Sequence, residues 1–169
     1  MKGIITAFGA AGIALVAAAS AAAWRPMVIW NATPSVPVGL YRLHPVGVLR
    51  VGDLVVAPPP PAFAEFFADR GYLPVGVPLI KPVAALGGTT VCREKDLIIV
   101  GGVATALALE RDYRGAALPV WQGCIRLSVD QIFLLATARI DSLDGRYFGP
   151  TPRTAIVGRA TRLWWAASP

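Results

Sequence analysis

The sequence predicts a mostly β domain behind an apolar N-terminal segment. Three observations carry this: β-prone runs cut up by 15 prolines and 17 glycines, one clear stretch of helical periodicity, and an uncharged run over residues 3–24. Within one chain of 169 residues they leave room for a single domain with a sizeable core.

The apolar run comes first. Its 22 positions follow Met1-Lys2 and contain no charge. As a helix rising about 1.5 Å per residue, it spans roughly the 30 Å hydrocarbon core of a bilayer. A single-pass anchor over residues 1–24 is the expectation, with residues 25–169 as an extracytoplasmic domain. The competing reading is a cleaved secretory signal, because Ala19-Ser20-Ala21 and Ala21-Ala22-Ala23 have the small-residue pattern of cleavage sites. The run exceeds the roughly 7–15 residues of a signal's apolar region, which favours the anchor. Charge does not orient it, since Lys2 on one flank faces Arg25 and Arg42 on the other.

The remaining elements follow in order. Asn31 to Tyr41 reads NATPSVPVGLY, an extended turn in which prolines on either side of Ser35 disfavour helix and Gly39 permits unusual backbone geometry. Arg50-Val51-Gly52-Asp53 is a turn feeding the strand Leu54-Val55-Val56, which Pro58 to Pro61 end. Pro61 can open a helix over Ala62 to Arg70, where Phe63, Phe66 and Phe67 form a packing face and Gly71 marks the stop. Residues 78–86 and 90–93 look extended, and residues 97–104 a hairpin closed by Gly101-Gly102. Residues 128–137 and 155–165 supply further strands.

Composition narrows function. A net charge of +6 raises nucleic acid, but the 16 basic residues are scattered, without clusters or interleaved aromatics, so no nucleic-acid partner is expected. A basic domain beside anionic lipid is the simpler account. With one histidine, and with Cys92 and Cys124 spaced 32 apart, no metal site and no cofactor are expected. The two cysteines could stay as buried thiols, while an oxidising compartment would favour a disulfide. Of Trp164 and Trp165, neighbours on a strand, one is expected in the core and the other exposed near the membrane.

If Ser35 is a nucleophile, it needs a base. No motif frames His44, and only three lysines exist. Lys2 flanks the apolar run and Lys95 lies in a polar turn. Lys81 instead sits in Val77-Pro78-Leu79-Ile80-Lys81-Pro82-Val83, with no charged neighbour. A desolvated lysine loses its proton more readily and can act as a general base. A strand lysine that snorkels to solvent is the bland alternative.

Three blocks in order then resemble the signal peptidase I superfamily, closest to its conjugative-transfer branch of TraF-type peptidases. They are Asn31-x-Thr33-x-Ser35-x-Pro37-x-Gly39-Leu40-Tyr41 followed by Val51-Gly52-Asp53; Lys81-x-Val83-Ala84-Ala85-Leu86-x-Gly88; and Asp141-Ser142-x-Asp144-Gly145-Arg146-Tyr147-Phe148-Gly149-Pro150. The resemblance implies a signal-peptidase-like β domain with an N-terminal transmembrane helix and one short helix. It implies Ser35 as nucleophile, Lys81 as general base, and Thr33 with the Ser35 backbone N–H as oxyanion hole. Ser142 would orient the base, and Asp144 and Arg146 would support the site or be purely structural. The implied activity is cleavage after small residues of an exported precursor, a pilin or another transfer-apparatus protein, by an inner-membrane protein with a periplasmic catalytic domain. Partners would be that precursor and membrane lipid. Two rival readings are a non-enzymatic anchored scaffold of a secretion or conjugation apparatus, and a LexA-like self-cleaving protein, against which the absence of a helix-turn-helix pattern argues. Two departures stand out: Pro82 where the family has a basic residue, and Gly87-Gly88-Thr89 in place of Pro-Gly-Asp.

Overall fold

The computed structural model describes residues 28–165, the side chain of Trp165 excepted. The expected anchor over residues 1–24 lies outside the described residues, and among those described no helix is long and apolar enough to cross a membrane.

Strands β1 (Val28–Asn31), β2 (Gly39–His44), β3 (Leu54–Ala57), β4 (Leu79–Ala85), β9 (Gln131–Leu134), β10 (Thr151–Pro152) and β11 (Gly158–Trp165) build a seven-stranded sheet. Its order is β1-β2-β11-β3-β4-β9-β10, and neighbouring strands pair antiparallel. A second sheet has the order β7-β6-β5-β8, from β5 (Thr90–Glu94), β6 (Leu97–Val100), β7 (Val103–Leu107) and β8 (Gly123–Arg126). Gly101-Gly102 closes the β6–β7 hairpin with positive φ at both residues, as that dipeptide predicts.

Two α-helices and a 3-10 turn (Arg153–Ala155) are described, where one short helix was expected in this region. Helix α1 (Pro61–Asp69) opens on proline at its first turn and packs Phe63, Phe66 and Phe67 inward. The unexpected α2 (Gly145–Phe148) is a single turn, too short to show periodicity. Asp144 caps it by accepting the Arg146 backbone N–H at 3.2 Å.

One apolar cluster bridges the sheets: Ala85 and Phe133 from the larger, Val91 and Ile98 from the smaller, and Tyr147 from α2. Two others lie along the larger sheet, one around Val55, Val83 and Ile132, the other around Val36, Tyr41, Val56 and Ile80. They make β4 a central, covered strand. Strand alternation then puts Lys81 on the same side as Val83, and both are buried.

The departures leave β4 intact. Pro82 pairs opposite Leu54, and its carbonyl accepts the Leu135 N–H at 3.1 Å. After the strand, a Cβ on Gly87 would meet the Ser128 carbonyl oxygen at 2.6 Å, so the chain passes its neighbour where only glycine fits.

Candidate active site

Ser35 stands in the loop between β1 and β2, half-buried, on the rim of a cleft of about 470 Å³. The hairpin closes at the pair Asn31↔Gly39, so the intervening residues 32–38 bulge out as an ordered loop. Pro34 and Pro37 lack N–H groups, and the loop is held instead by side chains: the Tyr41 hydroxyl donates to the Pro37 carbonyl at 2.7 Å. The Thr33 and Ser35 hydroxyl oxygens lie 3.4 Å apart.

Lys81 lines the same cleft from β4. It is 3% exposed, and its Nζ donates to the Ser142 Oγ at 2.7 Å. Among the described residues no carboxylate forms an ion pair with it. Burial lowers its pKa from 10.5 to about 8; the Asp144 charge opposes this, Arg146 adds to it, and Asp141 opposes it again. The snorkelling alternative fails because the amine ends on the buried Ser142 hydroxyl at the base of the cleft and not in bulk water.

Ser142 is 4% exposed and sits two residues before the cap of α2, so the turn that starts the helix also aims the serine at Lys81. Asp144 and Arg146 form a buried ion pair at 2.8 Å. Each has further partners: Asp144 accepts the Ala136 N–H at 2.9 Å, and Arg146 donates to the carbonyls of Leu107, Ile140 and Ala136 at 2.8–3.0 Å. Neither touches Ser35 or Lys81 through a hydrogen bond in this arrangement. Their direct effect is to pin the turn carrying Ser142.

Five of the expected site residues thus converge: Thr33, Ser35, Lys81 and Ser142 around one cleft, and Asp144 directly behind it. Cys92 and Cys124 lie elsewhere, joined as a disulfide between directly opposed residues of β5 and β8. His44 is on β2 and shares a hydrogen bond with Thr161 at 2.7 Å, apart from the cleft.

Sequence reasoning missed the far wall of the cleft. Tyr72 and Tyr113 line it together with Phe67. Tyr72 donates to Asp112, whose other carboxylate oxygen accepts the backbone N–H groups of Arg114 and Ala116. No local signal links residues 72 and 112; only the fold brings them together.

A family model of signal peptidases, peptidase S26, matches residues 1–165. The chain belongs to this family. Among curated proteins it resembles, the conjugal transfer protein TraF of Agrobacterium fabrum is 38% identical over 77% of this chain and 78% of the relative. The plasmid transfer protein TraF of Escherichia coli is 30% identical over 91% of this chain and 89% of the relative. A solved signal peptidase I from Enterococcus faecalis aligns with a TM-score of 0.41 and 20% identity, over 69% of this chain and 99% of its own. Membership of the peptidase S26 family and likeness to TraF proteins make this a signal-peptidase-like protein of the conjugative-transfer type.

Proposed function

We propose that the protein is a membrane-anchored serine endopeptidase with a Ser35/Lys81 dyad, which removes signal sequences or matures exported precursors such as a conjugative pilin. The observation that carries this is Lys81: an amine buried with no carboxylate in an ion pair with it among the described residues, held by Ser142, opening onto the cleft that Ser35 rims. A lysine kept only for structure would be expected at the surface or in an ion pair. With a pKa of about 8, roughly one molecule in ten carries the neutral amine at pH 7.

In this reading neutral Lys81 takes the Ser35 proton as Oγ bonds to the scissile carbonyl carbon. The oxyanion is held by the Ser35 N–H and the Thr33 hydroxyl. Protonated Lys81 gives its proton to the leaving amine as the C–N bond breaks. Water, deprotonated by Lys81, then hydrolyses the acyl-enzyme. Asp144 and Arg146 act through Ser142 by holding its turn. Cleavage after small residues, an inner-membrane anchor over residues 1–24 and a periplasmic catalytic domain complete the proposal. The disulfide supports an oxidising compartment. The names of the TraF relatives support a substrate from a conjugation apparatus.

The deciding experiment incubates the full chain in detergent with a peptide bearing an Ala-x-Ala site, comparing wild type with Ser35→Ala and Lys81→Ala. Cleavage by wild type alone is expected. Cleavage by either variant at the wild-type rate rules out the dyad, and no cleavage of peptide or precursor by wild type favours the scaffold.

A further inference from the structure

The first sequence block begins with Asn31, to which the dyad mechanism gives no task. Its side chain is 6% exposed and makes more hydrogen bonds than any hydroxyl in the cleft. The two N–H groups of the amide Nδ2 are shared among the carbonyls of Thr33 at 2.7 Å, Val36 at 3.0 Å and Pro37 at 3.1 Å. The amide Oδ1 accepts from Thr33 twice, from the backbone N–H at 3.4 Å and from Oγ1 at 3.2 Å. One carboxamide therefore ties both limbs of loop 32–38 and grips the residue proposed as oxyanion donor.

The chemistry favours an amide here. A carboxylate has no N–H to offer these carbonyl oxygens, and an aliphatic side chain would remove this donor from the carbonyls of Thr33 and Val36, while that of Pro37 would keep the Tyr41 hydroxyl. Pro34 and Pro37 contribute no N–H of their own, so the loop has fewer internal donors to stand in for the amide. The Thr33 hydroxyl has one proton and two acceptors in reach, Asn31 Oδ1 at 3.2 Å and Ser35 Oγ at 3.4 Å. With its proton resting on Asn31, the hydroxyl needs only a rotation about its C–O bond to donate towards charge developing beside Ser35.

We propose that Asn31 is a positioning residue for the oxyanion hole: it closes loop 32–38 and holds the Thr33 hydroxyl poised between a resting acceptor and the reacting carbonyl oxygen. This rests on the dyad reading above. It assigns Asn31 no contact with substrate; the residue acts through Thr33.

A double-mutant cycle tests it, using the full chain in detergent and a quenched peptide with an Ala-x-Ala site. Wild type, Asn31→Ala, Thr33→Val and the double variant are compared at a temperature where melting curves show all four folded. Thr33→Val is expected to lower kcat on the order of 100-fold, the scale of a lost oxyanion donor, and Asn31→Ala about 10-fold. KM should change less than about twofold in each, since only transition-state contacts are lost. The double variant should be no slower than Thr33→Val alone within about threefold, because Asn31 then has nothing left to position. The rising limb of the kcat–pH profile, set by Lys81, should stay in place in the Asn31 variants. If Asn31→Ala has no folded baseline, Asn31→Asp of equal size replaces it in the same cycle. Losses that multiply to about 1,000-fold in the double variant, or wild-type kcat in the Asn31 variant, overturn the proposal. Turnover surviving Ser35→Ala would instead overturn the underlying dyad and leave the two failures distinct.

Discussion

The seven-stranded sheet buries a cation at its centre, with Lys81 3% exposed on β4, whereas the four-stranded sheet ties β5 to β8 through the Cys92–Cys124 disulfide. The first accepts an unfavourable group; the second is stabilised by a crosslink. Desolvating Lys81 opposes folding, and a closed loop of this length favours it, so the two effects lie in different sheets with opposite signs. The difference teaches where chemistry and stability are separable here. They meet at α2, where Arg146 donates to Leu107 of β7 at 3.0 Å, and its own carbonyl accepts from Arg93 of β5 at 2.7 Å.

The largest expected effect breaks the first region alone. Ser35→Ala and Lys81→Ala should each reduce peptide turnover to background, while Cys92→Ala with Cys124→Ala leaves turnover per folded molecule unchanged. Equal losses in all of them would mean that the sheets are not functionally separate.

Next comes the joint. Removing one partner of a buried ion pair strands the other, so Arg146→Ala should destabilise by about 3–5 kcal/mol, read by urea unfolding. Turnover should fall as well, because the Ser142 turn loosens. A loss under about 1 kcal/mol would contradict a structural role for this buried pair where the two sheets meet.

Reducing the disulfide should cost about 3–4 kcal/mol in the chain-entropy model, with the position of the activity–pH profile unchanged. Both cysteines resisting alkylation in unreduced, denatured protein is the expected chemical signature.

The pH dependence sharpens the contrast further. Because the folded pKa of Lys81, about 8, lies below its unfolded value, the unfolded chain binds more protons between the two. Below about pH 8 the full penalty is present, on the order of 3 kcal/mol, and stability recovers as pH rises from there towards 10.5. Activity should rise through the same folded pKa. Lys81→Met removes the amine: it should be inactive, melt at an equal or higher temperature than wild type at pH 7, and lose the alkaline recovery. A lower melting temperature would show that the bond to Ser142 outweighs desolvation.

The smallest effect concerns the exposed tryptophans Trp30 on the edge strand β1 and Trp164 near the end of β11. Trp164 is 57% exposed and lies 6.1 Å, ring to ring, from Trp30, itself 50% exposed. The expectation that one of the terminal tryptophans is exposed is met by Trp164; the Trp165 side chain lies outside the described residues. If this pair meets a bilayer, Trp164→Phe should diminish fluorescence quenching by lipid-borne quenchers in vesicles. No change in quenching would remove the pair from the membrane.

Much of this molecule was legible in one dimension because the signals are local. Proline and glycine end strands by steric rules, so the strand at Leu54–Ala57, helix α1 and the Gly101-Gly102 hairpin fall close to where the sequence places them. Lys81 stands out because a charge inside an apolar run is costly wherever the run goes. The spacing of Thr33 and Ser35 carries over for the same reason: two residues apart, they stay neighbours in any fold. Strands β1, β2, β8 and β10 were not anticipated as strands, since each is defined by the partner it pairs with and not by a local pattern. The burial of Lys81, its bond to Ser142 across 61 positions, the Tyr72–Asp112 contact and the grip of Asn31 on its loop were decided by tertiary structure. A sequence states which groups are present and which are adjacent. Desolvation and hydrogen-bond geometry depend on what the fold packs around them, and that is where this site acquires its base.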